Sequence, residues 1–336
     1  MPSLIDSVLA GPPAPAPTLR LPATPSAEPA AALGPQPNTV DPAGGQQRPL
    51  PVRPVQPVPH EFGPAGVADR AWQRAAAVPP GSLVAVSSAD GGVGRSTLVA
   101  ALGGVLALAV AGPVAAVDMV PAPWGGLADR IGRHHAGSVW DAVRDLQALT
   151  SLRELQRWAQ QGPSGLLALV GETEVRGRRP PRHHEAAAVV EAVRRLTVLT
   201  VCDLQPALQV GHARVIAASA APIVMARATV DSLRHALQLL TQLRAARYGA
   251  VADRCVLVIM ATSPRTVREV RAVAQQASAV ATVVEIPFDP GLAGPEPIDP
   301  RRLHRPTRHA LVRLADQVLL RCAAPELPAI AAGQPR

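Results

Sequence analysis

The stretch Ser87-Ser88-Ala89-Asp90-Gly91-Gly92-Val93-Gly94-Arg95-Ser96-Thr97 limits what this chain can fold into more than any other. An apolar run, Leu83-Val84-Ala85-Val86, leads into it, and an Ala/Leu-rich helical pattern, Leu98 to Val110, leads out. Strand, glycine loop and helix in that order is the setting of a phosphate-binding loop. Glycines let backbone N–H groups turn inward on an anion, and a helix N-terminus adds its positive end. Two features sit awkwardly with that reading. Arginine occupies the basic position, and Asp90 stands beside the glycines.

Composition bears on the first of these. The chain has 33 basic residues, none of them lysine. An Arg-, Ala- and Pro-rich chain without lysine reads as the product of GC-rich DNA, so Arg95 by itself is weak evidence of a lost function. The net charge is +8. The five arginines and five carboxylates of residues 1–78 cancel, so the surplus lies in the remainder. A basic folded domain admits nucleic acid or anionic lipid as a partner, although basicity alone is not a binding site. Cys202, Cys255 and Cys322 lack metal-ligand spacing and read as thiols of a reducing cytoplasm. The first residues show no basic region followed by an apolar core, so no signal peptide is expected.

Residues 1–78 hold 17 of the 37 prolines and no sustained apolar period, and this sets the domain organisation. Such a segment cannot offset its ordering entropy, and it is expected to be a disordered Pro/Ala-rich tail. Its run Pro49-Leu50-Pro51-Val52-Arg53-Pro54-Val55-Gln56-Pro57 has polyproline character. It is either a spacer or a docking peptide for a protein partner. Residues 79–322 form the expected folded domain, and residues 323–336 a short disordered tail.

Within 79–322, short apolar runs at 83–87, 114–118, 166–170, 197–202, 222–226, 255–261 and 282–286 alternate with helical patterns. The helical patterns lie at 97–110, 138–160, 185–195, 230–247, 266–278 and 307–321. Apolar runs without polar alternation read as strands covered on both faces. Alternation with helices predicts an α/β three-layer sandwich on a mostly parallel sheet. The apolar stretch from Leu98 to Val117, about 20 residues, is long enough to span a bilayer. Gly112-Pro113 divides it, so it reads instead as a buried helix followed by a buried strand.

Ligands of such sheets sit at the carboxyl ends of the strands. Asp118 ends Val114-Ala115-Ala116-Val117-Asp118, and Asp203 ends Leu199-Thr200-Val201-Cys202-Asp203. Carboxylates there can hold a magnesium ion or its waters opposite Ser96, or can simply cap the turns that follow.

The segment Asp90-Gly91-Gly92-Val93-Gly94-Arg95-Ser96-Thr97 resembles the deviant Walker A motif, KGGxGK[ST][ST], of the ParA/MinD ATPases. Asp118 matches that family's switch I aspartate, and Asp203 its Walker B aspartate. Residues 222–233 resemble the strand and helix after Walker B. Ile286-Pro287-Phe288-Asp289 resembles a late segment near the nucleotide base. The Pro-rich, lysine-free character looks like actinobacterial members. The resemblance spans about residues 80–322. It implies a P-loop NTPase-like fold with ATP and Mg2+ as cofactors. It implies nucleotide binding by Gly91, Gly92, Val93, Gly94, Arg95, Ser96 and Thr97, metal binding by Ser96, Asp118 and Asp203, and a catalytic role for Asp118.

Four departures from the family pattern cut against turnover. Arg95 replaces the P-loop lysine, and Asp90 replaces the signature lysine with the opposite charge. Val120 stands where a second acidic residue sets up the attacking water. Val258-Ile259-Met260-Ala261-Thr262 lacks the asparagine that reads adenine. The expected function is a weak or residual ATPase in partition, positioning or secretion-accessory roles. The alternatives are a pseudo-ATPase scaffold for protein partners, and a non-specific DNA-binding protein. The last would rest on Arg176, Arg178, Arg179 and Arg182 and on Arg301, Arg302, Arg305 and Arg308, which read more readily as solvated surface. DNA is therefore not the favoured partner. A protein bound through the tail or a dimer face, a second copy of the chain included, is.

Overall fold

A computed structural model describes residues 62–63, 66–119, 126–172, 180–205, 210–245, 248–264 and 268–324. The polyproline run, Val120, Arg176, Arg178, Arg179 and residues 325–336 lie outside them.

The elements are, in order, α1 (Val67–Ala75), β1 (Ser82–Ser88), α2 (Arg95–Ala109), β2 (Val114–Asp118), α3 (Gly126–Ile131), α4 (Val139–Arg144), α5 (Leu152–Trp158), β3 (Gln160–Gln161) and β4 (Leu167–Leu169). They continue with α6 (His183–Leu196), β5 (Leu199–Asp203), α7 (Val210–Ala218), β6 (Ile223–Arg227), α8 (Val230–Ala245), α9 (Gly249–Arg254), β7 (Val256–Met260), α10 (Arg268–Ser278), β8 (Thr282–Ile286), α11 (Pro290–Ala293) and α12 (Arg305–Cys322).

Among the described residues, eight strands form one sheet in the order β3-β4-β2-β5-β1-β6-β7-β8. Every pairing is parallel except β3 with β4. Consecutive side chains enter opposite cores. Val84, Val86, Ile223 and Met225 pack with α1, α2 and α12 on one face. Leu83, Ala85 and Cys202 pack with α4, α5 and α6 on the other, where Val224 and Ala226 pack with α8 and α10. This is the three-layer α/β sandwich with a mostly parallel sheet. It also explains why the strands read as unbroken apolar runs.

The membrane-length apolar stretch resolves as expected into α2 and β2. Helix α2 is buried at 11 of its 15 residues, so its apolar character on all sides reflects burial in the domain. Gly103 and Gly104 are part of that packing. A Cβ on Gly103 would lie 2.8 Å from Leu166, and one on Gly104 2.7 Å from Ser164. Among the described residues no helix is long and apolar enough to cross a membrane. The apolar stripe of α12, Leu311, Val312, Leu314, Val318 and Leu319, is buried in the same core.

Two expectations need correction. The tail assigned to residues 1–78 contains α1, a helix that packs on α12 through Ala68, Ala71 and Ala75. Arg74 of α1 donates to the nearly buried carboxylate of Asp316 on α12. A nine-residue helix has little stability of its own, and tertiary contact supplies the rest. The helical pattern at 138–160 is two helices. The break carries a cap, Ser151, whose hydroxyl accepts from the Glu154 N–H at 3.3 Å.

Candidate functional site

Strand β1 delivers the glycine loop and α2 closes it. Gly94 caps α2 at φ 86°, a left-handed conformation that favours glycine. A Cβ there would fall 2.4 Å from the Met260 sulfur at the end of β7, so the loop is seated tightly on its neighbour strand. Val93 is fully buried and pins the loop from below, and Thr97 is buried in the first turn of α2. At Gly91 and Gly92 the opposite holds, since a Cβ on either would meet open space. Gly92 also has φ 68°. An open, side-chain-free surface therefore faces the N-terminus of a 15-residue helix whose cap makes no side-chain hydrogen bond. That is the geometry of an anion cradle.

The sheet register brings the carboxylates to this cradle. Strand β5 lies between β1 and β2, with Asp203 opposite Val86 on one side and Asp118 on the other. Asp118 and Asp203 are thus direct neighbours on adjacent strands, about 4.8 Å apart at the backbone. Both are buried. Ser96, at the start of α2, donates its hydroxyl to Asp203 Oδ2 at 2.5 Å. Asp203 Oδ1 is buried with no hydrogen-bond partner among the described residues. Ser96, Asp118 and Asp203, separated by up to 107 positions in sequence, are brought together.

Burial pushes the Asp203 carboxyl above the usual carboxylate range, with the Arg95 charge and the Ser96 hydrogen bond pulling the other way. The sign of the consequence follows from linkage. A raised acid binds more protons folded than unfolded, so it stabilises least at high pH. The contribution of Asp203 to fold stability should therefore fall as pH rises above the ordinary aspartate value of 3.8. Asp203→Asn should abolish that fall. Melting temperatures between pH 4 and 8 test this, and equal slopes for the two proteins would refute it.

Arg95 is the basic residue of the loop. Its guanidinium reaches across to donate to the carbonyl of Leu204, the residue after Asp203. Desolvation lowers its pKa, and the charges of Asp203 and Asp118 act to restore it. Its Nε is buried without an acceptor among the described residues. The oxygens of Ser96, Asp118 and Asp203 are donors of the kind magnesium takes. The Arg95 charge acts on both carboxylates and offsets part of theirs.

Asp90 differs from its sequence reading as a bare negative charge beside a phosphate. Its carboxylate is bound to His235 Nδ1 at 2.8 Å, on α8, 145 residues away. Burial acts to raise its pKa, but hydrogen bonds from Ser232 and His235 and the charges of His235 and Arg227 hold it below the ordinary value. Asp90 is thus a tether joining the loop to the start of α8.

Beyond Met260, a recess of about 650 Å³ opens at the ends of β6, β7 and β8. Ile259, Ala261, Pro264 and Phe288 line it, with Arg271 and His309 among its polar groups. Asp289, from the late Ile-Pro-Phe-Asp segment, does not line the recess. It is buried, caps α11 by accepting from Gly291 N–H at 2.9 Å, and accepts from His304 N–H at 2.8 Å. The arginines after residue 300 are largely engaged locally. Arg301 pairs with Asp299 at 2.9 Å, and Arg308 donates to the Leu303 carbonyl at 3.1 Å. Among the described residues, no cluster of three acidic, histidine or cysteine ligands could hold a metal. Sequence reasoning missed the roles of Met260, Leu204, Arg227, Ser232 and His235, which act through contacts distant in sequence.

No protein-family model matches the chain. No curated protein matches it either. Solved structures do. A ParA family ATPase from Chlorobium tepidum aligns over 74% of this chain and 97% of its own, at 15% identity and TM-score 0.54. The cell division ATPase MinD of Pyrococcus furiosus aligns over 71% and 98%, at 16% and 0.54. The Aquifex aeolicus cell division protein MinD aligns over 70% and 94%, at 17% and 0.51. The chain has the ParA/MinD-like P-loop fold.

Proposed function

We propose that this protein binds a nucleoside triphosphate, ATP in the first instance, at the loop Gly91–Thr97. We infer slow hydrolysis at most, in a partition, positioning or secretion-accessory role. The observation that carries the reading is the open glycine cradle at the start of α2, backed by two buried strand-end carboxylates. Gly91, Gly92 and Gly94 shape the cradle. Val93 and Thr97 anchor it, Ser96 and Arg95 meet phosphate, and Asp118 faces the reacting end. The recess beyond Met260 offers apolar walls to the rest of the ligand. The partner is a protein, engaged through the Pro-rich segment or through a face shared by two copies of the chain. Three buried free thiols suit a reducing, cytoplasmic setting.

A second reading has its own support. Arg95 is anchored to the Leu204 carbonyl, and the Asp90 tether spends the charge at the signature position within the fold. Both features suit a scaffold that keeps the architecture and binds protein partners without nucleotide.

Thermal denaturation with millimolar ATP separates the two readings. A nucleotide at about 100 times its Kd should stabilise the domain by about 2.7 kcal/mol. Gly91→Val should leave the melting temperature of the free protein unchanged, because its side chain enters open space, and should remove the ATP shift. An unshifted native protein would reject nucleotide binding and leave the scaffold. A shift retained in Gly91→Val would place the site elsewhere.

A further inference from the structure

We propose that the open edge of β8, with the basic recess beside it, is a docking surface for an acidic segment of a partner protein, taken up as an extended strand. The proposal goes beyond the nucleotide reading and does not depend on it. A nucleotide would use the wall of the recess next to Met260, on β7. The surface meant here is the outer wall, made by β8, α10 and α12.

Strand β8 ends the sheet and pairs with β7 alone. The Ala261 N–H donates to the Ile286 carbonyl at 2.9 Å. Alternation along the strand then turns the backbone groups of Thr282, Val284 and Ile286 towards β7 and those of Val283 and Glu285 outwards. Val283 is half-buried and Glu285 exposed, and among the described residues no further backbone hydrogen bond reaches either. An edge of this kind is a template for another strand. A peptide added to it gains main-chain hydrogen bonds, and its alternate side chains read the surface on either side.

That surface is basic. The recess of about 650 Å³ takes Arg271 from α10, Arg305, His309 and Arg313 from α12, and one carboxylate, Glu285, from β8. The three arginines are exposed. Elsewhere Arg144, Arg157, Arg194, Arg234, Arg244 and Arg301 each lie within 4.0 Å of a carboxylate. Among the described residues Arg271, Arg305 and Arg313 have no such neighbour, Glu285 included. Arg305 instead donates to His309 Nε2 at 3.4 Å, which leaves its charge unopposed. Burial holds His309 below the ordinary histidine value, and the charges of Arg305, Arg308 and Arg313 act in the same direction. Three arginines against one glutamate leave a positive surplus, which an acidic partner complements. Pro287 and Phe288 add apolar wall for the side chains between the acids. Nucleic acid would also match the charge, but its phosphodiester backbone carries no donors for the outward carbonyls of Val283 and Glu285. A polypeptide supplies both donors and acceptors.

The test is fluorescence anisotropy of a short labelled peptide, glutamate alternating with valine, added to the full-length protein without nucleotide. Saturable binding with a Kd below about 100 μM is expected, weakening as salt is raised. Arg271→Glu/Arg313→Glu should weaken it at least about tenfold. The melting temperature of that variant should equal the native one, because neither arginine has an ion-pair partner to lose. Two further peptides carry backbone N-methyl groups, one on its glutamates and the other on its valines. Alternation directs one set of N–H groups at β8, so one of these peptides should lose binding and the other keep it. Weaker binding than about 100 μM, an unchanged affinity in the charge variant, or equal binding of the two N-methylated peptides would each overturn the proposal. Displacement of the peptide by an equimolar DNA duplex would overturn it in favour of a nucleic-acid site. A native dimer in sedimentation that the charge variant abolishes would overturn it in favour of a second copy of the chain.

Discussion

Gly94→Ala is expected to destabilise the domain by about 2–4 kcal/mol. Two terms contribute. A non-glycine residue held in the left-handed region costs about 1–2 kcal/mol. The added methyl also enters a space where the Met260 sulfur lies 2.4 Å from the Cβ position. Overpacking of that kind costs about 1–3 kcal/mol, towards the low end here because a methionine side chain can shift. For a domain of this size each kcal/mol lowers the melting temperature by about 2–4 °C, so a drop of roughly 10 °C is expected. Gly91→Ala is the internal control, with open space at its Cβ and no positive φ, and should cost little. Denaturant titration of both variants checks the contrast. If Gly94→Ala lies within about 0.5 kcal/mol of the native protein, the loop is not seated on β7 as described. The contrast also separates two roles that the motif merges. Gly94 holds the loop to the sheet, and Gly91 keeps the cradle clear.

Removing the cation that joins α1 to α12 has the second large effect. Arg74→Ala leaves the Asp316 carboxylate nearly buried and without its partner. Stripping one member of a fully buried pair costs about 3–5 kcal/mol, and the partial exposure of Arg74 reduces this to about 2 kcal/mol. The double variant Arg74→Ala/Asp316→Ala should be less destabilised than Arg74→Ala alone, because no charge is then stranded. Chemical denaturation of the two single variants and the double variant closes the cycle. Additive losses would mean that the ion pair does not couple the helices. A truncation beginning at residue 79 should be destabilised by at least as much as Arg74→Ala, since it removes α1 whole.

The strands were legible because burial on both faces leaves an unbroken apolar run, and that pattern is local. The glycine loop was legible for the same reason, being one contiguous segment. Helix α1 was not. Its stability comes from α12, and its alanines resemble those of the proline-rich stretch before it. The break at Ser151 was present in the sequence as a serine three residues before a glutamate, but the apolar period on either side masked it. Asp118 and Asp203 could be read as strand-end carboxylates. That they are neighbours depends on β5 inserting between β1 and β2, and strand order is not a property of any local pattern. Asp90 misled because its partner His235 lies 145 residues away. A charge that looks unopposed in sequence can be fully engaged in the fold.

The packing of α1 on α12 has a consequence for how the protein is made. Roughly 230 residues separate Ala75 from Arg305, which at common rates of synthesis is about 10 to 50 s of translation. Over that interval Ala68, Ala71 and Ala75 have no α12 to cover them, and β1 has no β5 at its side until residue 203 has left the ribosome. Helix α12 closes the core over α1. The glycine loop gains its neighbours β5 and β7 only once residues 203 and 260 have been made, and α12 reaches α1 later still.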